Sequence, residues 1–304
     1  MTQRELEKRA GAAVDRVLTD AEKQLVREYR DALKSVKSDL AALYEKYSVD
    51  GKLTYAEMSK YNRLKTLNTN IAAELNALGQ AQDATIKTLV GDAYEESFYR
   101  YGYSLDAGNG LDIGFGPVNR ETILGLINEP NVSGLSLKEQ LSKQRYDLLI
   151  RQRQTMIQGF VKGESYVNIA KALTDSFGIS LNNAMRIART EGARAATEGQ
   201  VAAYDEAEAR GVEIDRIWVA ALDGRTRPEH GALDGQVADD EGLFHSQGMS
   251  AEGPGMWGDA SMDINCRCTI RSEIKGFPPA LRRYDGEVRE NITYAEWKEL
   301  HEKD

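Results

Sequence analysis

A long stretch without glycine or proline near the N-terminus restricts the fold of this chain more than any other sequence feature. Between Asp20 and Lys46 neither residue occurs, and apolar side chains recur every three or four positions. These side chains are Leu25, Tyr29, Leu33, Val36, Leu40 and Leu43. A period of 3.6 residues places them on one face of an α-helix. The sequence therefore predicts a long amphipathic helix with one apolar stripe.

A second long helix is expected after a short turn. Asp50-Gly51 interrupts the first repeat, and glycine tolerates the positive φ of a tight turn. Thr54 and Glu57 have the spacing of a capping box, in which both side chains bond backbone N–H groups. The second apolar stripe consists of Leu64, Leu67, Ile71, Leu75 and Leu78. We expect residues 1–110 to form a helical hairpin whose outer face docks on a partner.

Residues 111–211 are predicted to form a helical middle region. A glycine-rich segment from Tyr101 to Pro130 is expected to be a loop, with a short strand or ribbon in it. Helices should resume near Glu121 and near Leu137. A short helix that begins at Ser165 is expected to end by Gly178.

The next helix, predicted to be capped by Ser180 and to span 181–209, has unusually many small residues. They stand at positions 188, 192, 195, 196 and 199, and they allow another backbone to approach closely. Glu191 lies three residues before Arg194, which is the spacing of an ion pair on one helix face. We therefore interpret Glu191 as part of an Arg–Glu network and not as a catalytic group.

After Gly211 the apolar period changes to two, which is typical of strands. The expected elements are a strand from 212 to 222, a short helix begun by Pro228, a strand around 236–238, a loop from His245 to Asp263 and a strand from Cys266 to Ile274. On the last strand Cys266, Cys268, Ile270 and Ile274 share one face. Residues 212–304 are thus predicted to be a small α+β domain, and the whole chain belongs to the α+β class.

The charge distribution argues against a general nucleic-acid-binding function. The net charge is −9, with +4 over residues 138–198 and −10 over residues 199–304. An acidic chain lacks the clustered cations that bind phosphates, so we expect weak DNA binding at most. The candidate DNA-contact residues are Lys138, Lys143, Arg145, Arg151, Arg153 and Lys162. We prefer to interpret them as a solvated helical face.

Neither a membrane span nor a secretion signal is predicted from this sequence. It contains no run of eighteen apolar residues, and its first residues are charged without an apolar core segment. Two cysteines do not make a disulfide framework. The expected location during synthesis is the cytoplasm of the host cell.

Both cysteines and two of the three histidines fall in the last third of the chain. His230, His245, Cys266 and Cys268 have the donor types of a Cys₂His₂ zinc site, although Cys-x-Cys is an atypical spacing. Alternatively, the two thiols are small apolar groups in a core, with no cofactor. We favour the second interpretation, because both cysteines share the strand face of Ile270.

A hydrolase is the runner-up interpretation of the same residues. Cys266 or Cys268 would be the nucleophile, His230 its base, and Asp234 or Asn265 the group that orients the base. In a metal-dependent version Asp223, Asp234 and His230 would hold a divalent ion. A cluster of residues that only stabilises the fold explains the same sequence more simply, and we favour it over an enzyme. In that interpretation Arg227 and Arg267 pair with the aspartates.

The same residues, in order and spacing, resemble a known family. They are Ala188-Arg189-Thr190-Glu191, Trp218, Asp223, Arg227, His230, Leu233-Asp234-Gly235, Phe244, Pro254 and Asn265-Cys266-Arg267-Cys268. This combination is similar to the head-morphogenesis, or minor head, proteins of tailed phages that resemble protein F of phage Mu, over roughly residues 140–275. The resemblance implies a low-copy virion protein inside the capsid, bound to the portal and other head proteins. It also implies a role in head assembly or genome delivery, and a DNA-contacting ejection protein is a third alternative.

Overall fold

The apolar stripes of the sequence become three helices of more than forty residues each. The computed structural model describes residues 2–109, 111, 113–118, 120–128, 134–221, 223–275, 281–284 and 287–290. The helices are α1 (Gln3–Tyr47), α2 (Tyr55–Ser59), α3 (Arg63–Asn109), α4 (Arg120–Asn128), α5 (Leu137–Lys162), α6 (Tyr166–Ala209), α7 (Pro228–Ala232) and α8 (Ala260–Asp263). The strands are β1 (Ile214–Val219), β2 (Phe244–Ser246), β3 (Met249–Ala251), β4 (Thr269–Ile274), β5 (Leu281–Tyr284) and β6 (Glu287–Glu290). This composition confirms the α+β class.

Helices α1 and α3 form the expected antiparallel hairpin, and α6 packs against both. Asp50 and Gly51 have the positive φ angles that the turn requires. Thr54 Oγ1 accepts a hydrogen bond from the Glu57 N–H at 3.3 Å, but this cap begins only the short α2. The second long helix starts after Tyr61, whose φ is +52°. The predicted helix is therefore present, and it begins at Arg63.

The expected helix break at Gly178 is wrong, because α6 runs unbroken from Tyr166 to Ala209. Gly178 is exposed in the middle of the helix, where glycine costs up to about 1 kcal/mol relative to alanine without ending the helix. Ser180 does not cap a helix. It is buried, and both its hydroxyl and its carbonyl bind partners on other helices.

Ser180 belongs to a buried polar cluster that joins four helices. The Tyr29 hydroxyl of α1 donates to Gln82 Oε1 of α3 at 3.1 Å, and it lies 3.2 Å from Ser180 Oγ of α6. Gln144 of α5 donates from Nε2 to the Tyr29 hydroxyl and to the Ser180 carbonyl. Burial raises the pKa of Tyr29 to about 12. Because each polar group here has a partner, the cluster fixes the relative register of the four helices.

The glycine-rich break begins later than expected, because α3 continues to Asn109. Gly102 and Gly108 lie inside the helix, where other parts of the chain come close. A Cβ atom at Gly102 would lie 3.2 Å from the ring of Phe115, and one at Gly108 would lie 2.6 Å from Cα of Gln3. These glycines permit close packing and do not end the helix. Among residues 113–118 there is no strand.

The small residues of α6 allow the close helix contact that the sequence predicts. A Cβ atom at Gly199 would lie 2.3 Å from the carbonyl oxygen of Tyr94 on α3. One at Gly192 would lie 2.5 Å from Leu18 of α1. The prediction of close backbone approach along this helix is confirmed.

The described residues of the C-terminal part form three two-stranded antiparallel pairs: β1–β4, β2–β3 and β5–β6. Strand β1 pairs with β4 in a register that places Trp218 opposite Ile270. On its other edge, Ile217 forms a single bridge with Val237, where a strand was expected. The segment 245–263, expected to be a loop, contains the β2–β3 hairpin and α8. Gln247 and Gly248 both have positive φ, which is the requirement of a two-residue type I′ turn.

The last strand starts at Thr269 and not at Cys266. Pairing with β1 ends at Val219, because the next backbone N–H, that of Ala220, donates to Asp234 Oδ1 at 2.9 Å. Cys268 nevertheless keeps the alternation, since it is buried with Ile270 and Ile274 while Thr269 is exposed. Cys266 is half-buried.

The β1–β4 pair packs against one end of the helical body. One apolar core joins residues of α1, α3, α5 and α6 to Ile214, Trp218 and Ile270, and a second core lies toward the hairpin turn. The first core therefore contains residues from all three regions that the sequence suggests. Gln3 Nε2 donates to Ser272 Oγ at 2.7 Å, which connects the start of α1 to β4. Within the described part of the chain, no helix is both long enough and apolar enough for a membrane span.

Glu7 of α1 makes stability depend on pH. Its buried carboxylate accepts hydrogen bonds from the N–H and hydroxyl of Ser272, and burial raises its pKa above 4.5. The folded state therefore holds this proton to higher pH than the unfolded chain does. We expect the free energy of unfolding contributed by Glu7 to fall as pH rises from about 4.5 through the folded pKa.

Urea unfolding of Glu7→Gln between pH 4 and pH 8 tests this expectation. The amide oxygen still accepts from Ser272 and carries no charge, so the variant should gain stability relative to the parent as pH rises. Glu95→Gln, at an exposed position of α3, is the matched control and should follow the parent. Identical pH profiles for the parent and Glu7→Gln would contradict the assignment.

Candidate functional site

One histidine and both cysteines come together between α7 and the segment that precedes β4. Pro228 occupies the first turn of α7, where the N–H that proline lacks would have no helical partner. His230, two residues later, lies on the buried side of this helix. Cys266 and Cys268 lie in the segment between α8 and β4. His230 is 2% exposed, which removes its imidazole from bulk water.

The imidazole nitrogen Nδ1 of His230 lies 3.4 Å from Sγ of Cys266 and 3.4 Å from Sγ of Cys268. All three donor atoms lie within 4.8 Å of one another. The other ring nitrogen, Nε2, is buried and has no hydrogen-bond partner among the described residues. We refer to His230, Cys266 and Cys268 as the Cys-His cluster.

The two thiols differ in acidity because they are hydrogen-bonded to each other. A hydrogen bond from Cys266, helped by His230 and the Ala221 N–H, lowers the pKa of Cys268 below that of an ordinary thiol. The same hydrogen bond, together with burial, raises the pKa of Cys266. Cys268 is therefore the sulfur on which a thiolate is favoured, and a thiolate is the form that binds metals and acts as a nucleophile.

His245, the fourth member of the zinc set suggested by the sequence, lies outside the Cys-His cluster. It is exposed on β2, and its Nε2 lies 2.6 Å from Asp239 Oδ2. In the described part of the chain, the only His, Cys, Asp or Glu group with ligand spacing is the three-residue cluster.

The two aspartates suggested for a triad or for a divalent ion are engaged elsewhere. Asp234 accepts from the Ala220 N–H, and Asp223 is paired with Arg267 through two hydrogen bonds. This pairing lowers the pKa of Asp223. Asn265 uses its backbone N–H to bind Thr190 Oγ1 at 3.3 Å. Among the described residues nothing binds Nε2 of His230, so the cysteines and the imidazole lack the third, orienting group of a triad.

Several contacts hold the cysteine segment in place independently of the cluster. Arg227, the residue before α7, donates to the carbonyls of Met262 and Ile264. Asn265 adopts a φ of +56°, and its bond to Thr190 anchors the segment on α6. Arginine–carbonyl contacts at Arg227 replace the arginine–aspartate pair that the sequence suggests, while the pair of Arg267 with Asp223 forms as suggested.

The Ala188–Glu191 motif connects α6 to its neighbours. Glu191 is buried and pairs with Arg194 at 3.2 Å, and Arg194 also donates to the Leu126 carbonyl at 2.9 Å. Arg189 forms an ion pair with Glu22 of α1. The expected ion pair between Glu191 and Arg194 is present.

Trp218 is the centre of an aromatic group above His230. Its ring is fully buried and meets the rings of His230, Phe244 and Trp257 at centroid distances of 5.9, 5.2 and 5.8 Å. The sequence analysis missed Trp257 and its partner Asp263, whose buried carboxylate accepts a hydrogen bond from the backbone N–H of Trp257 at 3.1 Å. Burial raises the pKa of Asp263. A lone tryptophan within a glycine-rich segment was the available signal.

The six candidate DNA-contact residues all lie on α5, but not on one face. Lys138, Arg145 and Arg153 recur at two-turn intervals on one flank of the buried stripe, and Arg151 and Lys162 lie on the other flank. Lys143 is paired with Asp147 at 2.8 Å. The side chain of Arg145 covers Gly79 of α3.

We expect weak DNA binding that disappears as salt rises. Cations spread around a helix release few counterions together, and the acidic C-terminal region opposes binding. Fluorescence anisotropy with duplex DNA should give a dissociation constant above about 1 μM at physiological salt. Submicromolar binding that persists there, and that is lost in Arg151→Gln but not in Lys275→Gln, would show that the charge argument is wrong.

The sequence is similar to known proteins over most of its length. Residues 152–271 match the family described as Phage Mu protein F like protein, a range that includes α6, β1 and the Cys-His cluster. The chain is 33% identical to the minor head protein GP7 of Bacillus phage SPP1, over 94% of both chains. It is 32% identical to the NAD(+)–arginine ADP-ribosyltransferase EFV of Enterococcus faecalis V583, over 91% of this chain and 57% of that protein. No solved structure gives a significant match.

The similarity to the SPP1 protein extends from the helical hairpin to the Cys-x-Cys segment, so it covers both the body and the candidate site. Family membership implies a component of the virion that interacts with other head proteins. The chain belongs to the family of phage minor head proteins that are similar to protein F of phage Mu.

Proposed function

We propose that this protein binds the portal inside the assembling head and stays there in the mature virion, where it assists genome delivery. The observation that carries the proposal is the similarity to a minor head protein over 94% of both chains. A similarity of that extent covers most of the helical body as well as the C-terminal part of the chain.

The outer face of α5 is the surface that we assign to this contact. Tyr146, Ile157 and Val161 lie on that face at spacings of eleven and four residues, and they are 63%, 38% and 66% exposed. Exposed apolar residues in such a row mark protein-interaction surfaces. On the α1–α3 hairpin, which the sequence suggests for docking, the exposed large apolar residues of the helices are Val26 on α1 and the two tyrosines Tyr99 and Tyr103 near the end of α3. They form no row with aliphatic residues comparable to the one on α5.

Co-expression with the portal protein of the same phage tests the proposal. The intact chain should co-purify with tagged portal in the absence of DNA and other head proteins. Changing Tyr146, Ile157 and Val161 together to glutamate should abolish co-purification, because charges would be desolvated at the contact. Val26→Glu, an exposed apolar position on α1, is the matched control and should still co-purify.

Two results would contradict the proposal. An intact, folded chain that fails to bind the portal would remove the portal as its partner. Equal binding by the parent and the triple variant would leave the portal contact but exclude the α5 face.

We infer further that the activity named for the Enterococcus relative resides outside the shared region. The region that matches that protein also matches the SPP1 head protein, and it spans 57% of the Enterococcus chain. Incubation of this protein with labelled NAD⁺ and an arginine-rich acceptor should therefore transfer no label. Transfer that is absent from a heat-denatured sample would overturn the inference.

A further inference from the structure

The position of His230 relative to the two sulfurs is difficult to explain by hydrogen bonding alone. A ring nitrogen has either one lone pair or one N–H, so it forms one good hydrogen bond. Yet Nδ1 is equally far, 3.4 Å, from Cys266 Sγ and from Cys268 Sγ. Equal distances from the nitrogen to both sulfurs are expected when all three atoms are ligands of one metal ion.

The distances fit the coordination sphere of zinc. With Zn–S bonds of about 2.3 Å and a Zn–N bond of about 2.0 Å, tetrahedral geometry separates nitrogen from sulfur by about 3.5 Å. The observed separations of 3.4 Å are within 0.2 Å of this value. Thiolate and imidazole are also the donors that zinc prefers.

The donors are held in position by residues that do not belong to the cluster. Arg227 ties the start of α7 to the carbonyls of residues 262 and 264, just before Cys266. Arg267, between the two cysteines, is paired with Asp223. Thr190 on α6 binds the backbone of Asn265. This support preorganises the three donors, as metal sites require.

A disulfide between the two cysteines does not explain the geometry. Residues separated by one position in an extended segment rarely meet the Cβ separation that a disulfide needs. The cysteines are free, and both sulfurs face the histidine.

We propose that His230 Nδ1, Cys266 Sγ and Cys268 Sγ bind one zinc ion, with the fourth position taken by water or by a donor from a partner. Among the described residues no fourth His, Cys, Asp or Glu joins the group. The ion closes a loop of 36 to 38 residues that contains the β2–β3 hairpin and α8. It therefore stabilises the C-terminal part of the fold and holds it against α6.

Metal analysis of the full-length chain, purified under reducing conditions and without chelators, is the first test. We expect about one zinc per chain, and less than about 0.1 in His230→Ala, Cys266→Ser and Cys268→Ser. His245→Ala is the matched control, because it removes an exposed histidine outside the cluster, and it should retain the metal. Chelation of the intact protein should lower its melting temperature, and added zinc should restore it.

Cobalt substitution keeps the proposal testable if the variants do not fold. Titration of the metal-free parent chain with Co²⁺ should produce thiolate-to-cobalt charge-transfer bands and the d–d bands of tetrahedral cobalt, saturating at one equivalent. Zinc should then displace the cobalt, and it should protect both cysteines from alkylation. A folded parent chain that binds neither Zn²⁺ nor Co²⁺ would overturn the proposal, as would a metal content unchanged in Cys268→Ser.

Discussion

Replacing Gly199 by alanine should destabilise the protein by roughly 2–3 kcal/mol, although alanine is the better helix former. The added Cβ atom would lie 2.3 Å from the carbonyl oxygen of Tyr94 and 3.0 Å from its carbonyl carbon. Both atoms belong to the backbone of α3, so no side chain can rotate away. Relief of the clash requires α3 and α6 to separate, and that separation loosens the core around Tyr94.

Gly178 provides a matched control in the same helix. It is exposed, and a Cβ atom there would meet nothing within 4 Å. Gly178→Ala should therefore raise the free energy of unfolding by about 0.5–1 kcal/mol, through the lower entropy of the unfolded chain. Urea unfolding of the two variants beside the parent measures both effects. Stabilisation by both substitutions would mean that α3 and α6 are farther apart at Gly199 than described.

Trp218→Ala should lower the free energy of unfolding by about 3–5 kcal/mol. The indole is fully buried between the helical body and α7, and it contacts the rings of Phe244, Trp257 and His230. Its removal leaves a cavity between rings that other elements hold apart, so little collapse is possible. The variant should also release His230, with faster alkylation of Cys268 as a second readout.

Trp218→Phe is the conservative comparison for this position. Phenylalanine keeps most of the contact area and removes an indole N–H that has no hydrogen-bond partner among the described residues. It should cost under about 2 kcal/mol. Val237→Ala, at an exposed position across from β1, should change stability by less than about 0.5 kcal/mol. Equal losses for Trp218→Ala and Trp218→Phe would indicate that packing in the aromatic group is not the source of stability.

Local patterns in the sequence predicted the main elements because each pattern reflects neighbours along the chain. The 3.6-residue stripes of Leu25–Leu43 and Leu64–Leu78 predicted α1 and α3. The period of two from Cys268 to Ile274 predicted which side chains of β4 are buried. The pairing of Glu191 with Arg194 also followed from spacing alone, since residues three apart on a helix share a face.

Glycine was the least reliable signal, because its effect depends on what lies opposite. Gly178, Gly102 and Gly108 were expected to interrupt helices, yet all three are helical. Gly102 leaves room for the ring of Phe115, and Gly108 leaves room for Gln3 at the start of α1. Neither neighbour can be recognised from the residues around the glycine. Conversely, the Gln247-Gly248 turn created a hairpin in a segment expected to be a loop, since positive φ at both positions reverses the chain.

The candidate site shows most clearly what the sequence determines and what the tertiary structure determines. The sequence by itself determined the donor types and the spacing of Cys266 and Cys268, and it placed His230 on a short helix begun by proline. Only the tertiary structure decided that His230 and not His245 faces the thiols, and that Asp223 and Asp234 bind elsewhere. The reason is physical: whether two side chains meet across 36 residues depends on the path of the intervening chain, which Arg227, Thr190 and Trp218 fix through contacts that no local pattern records.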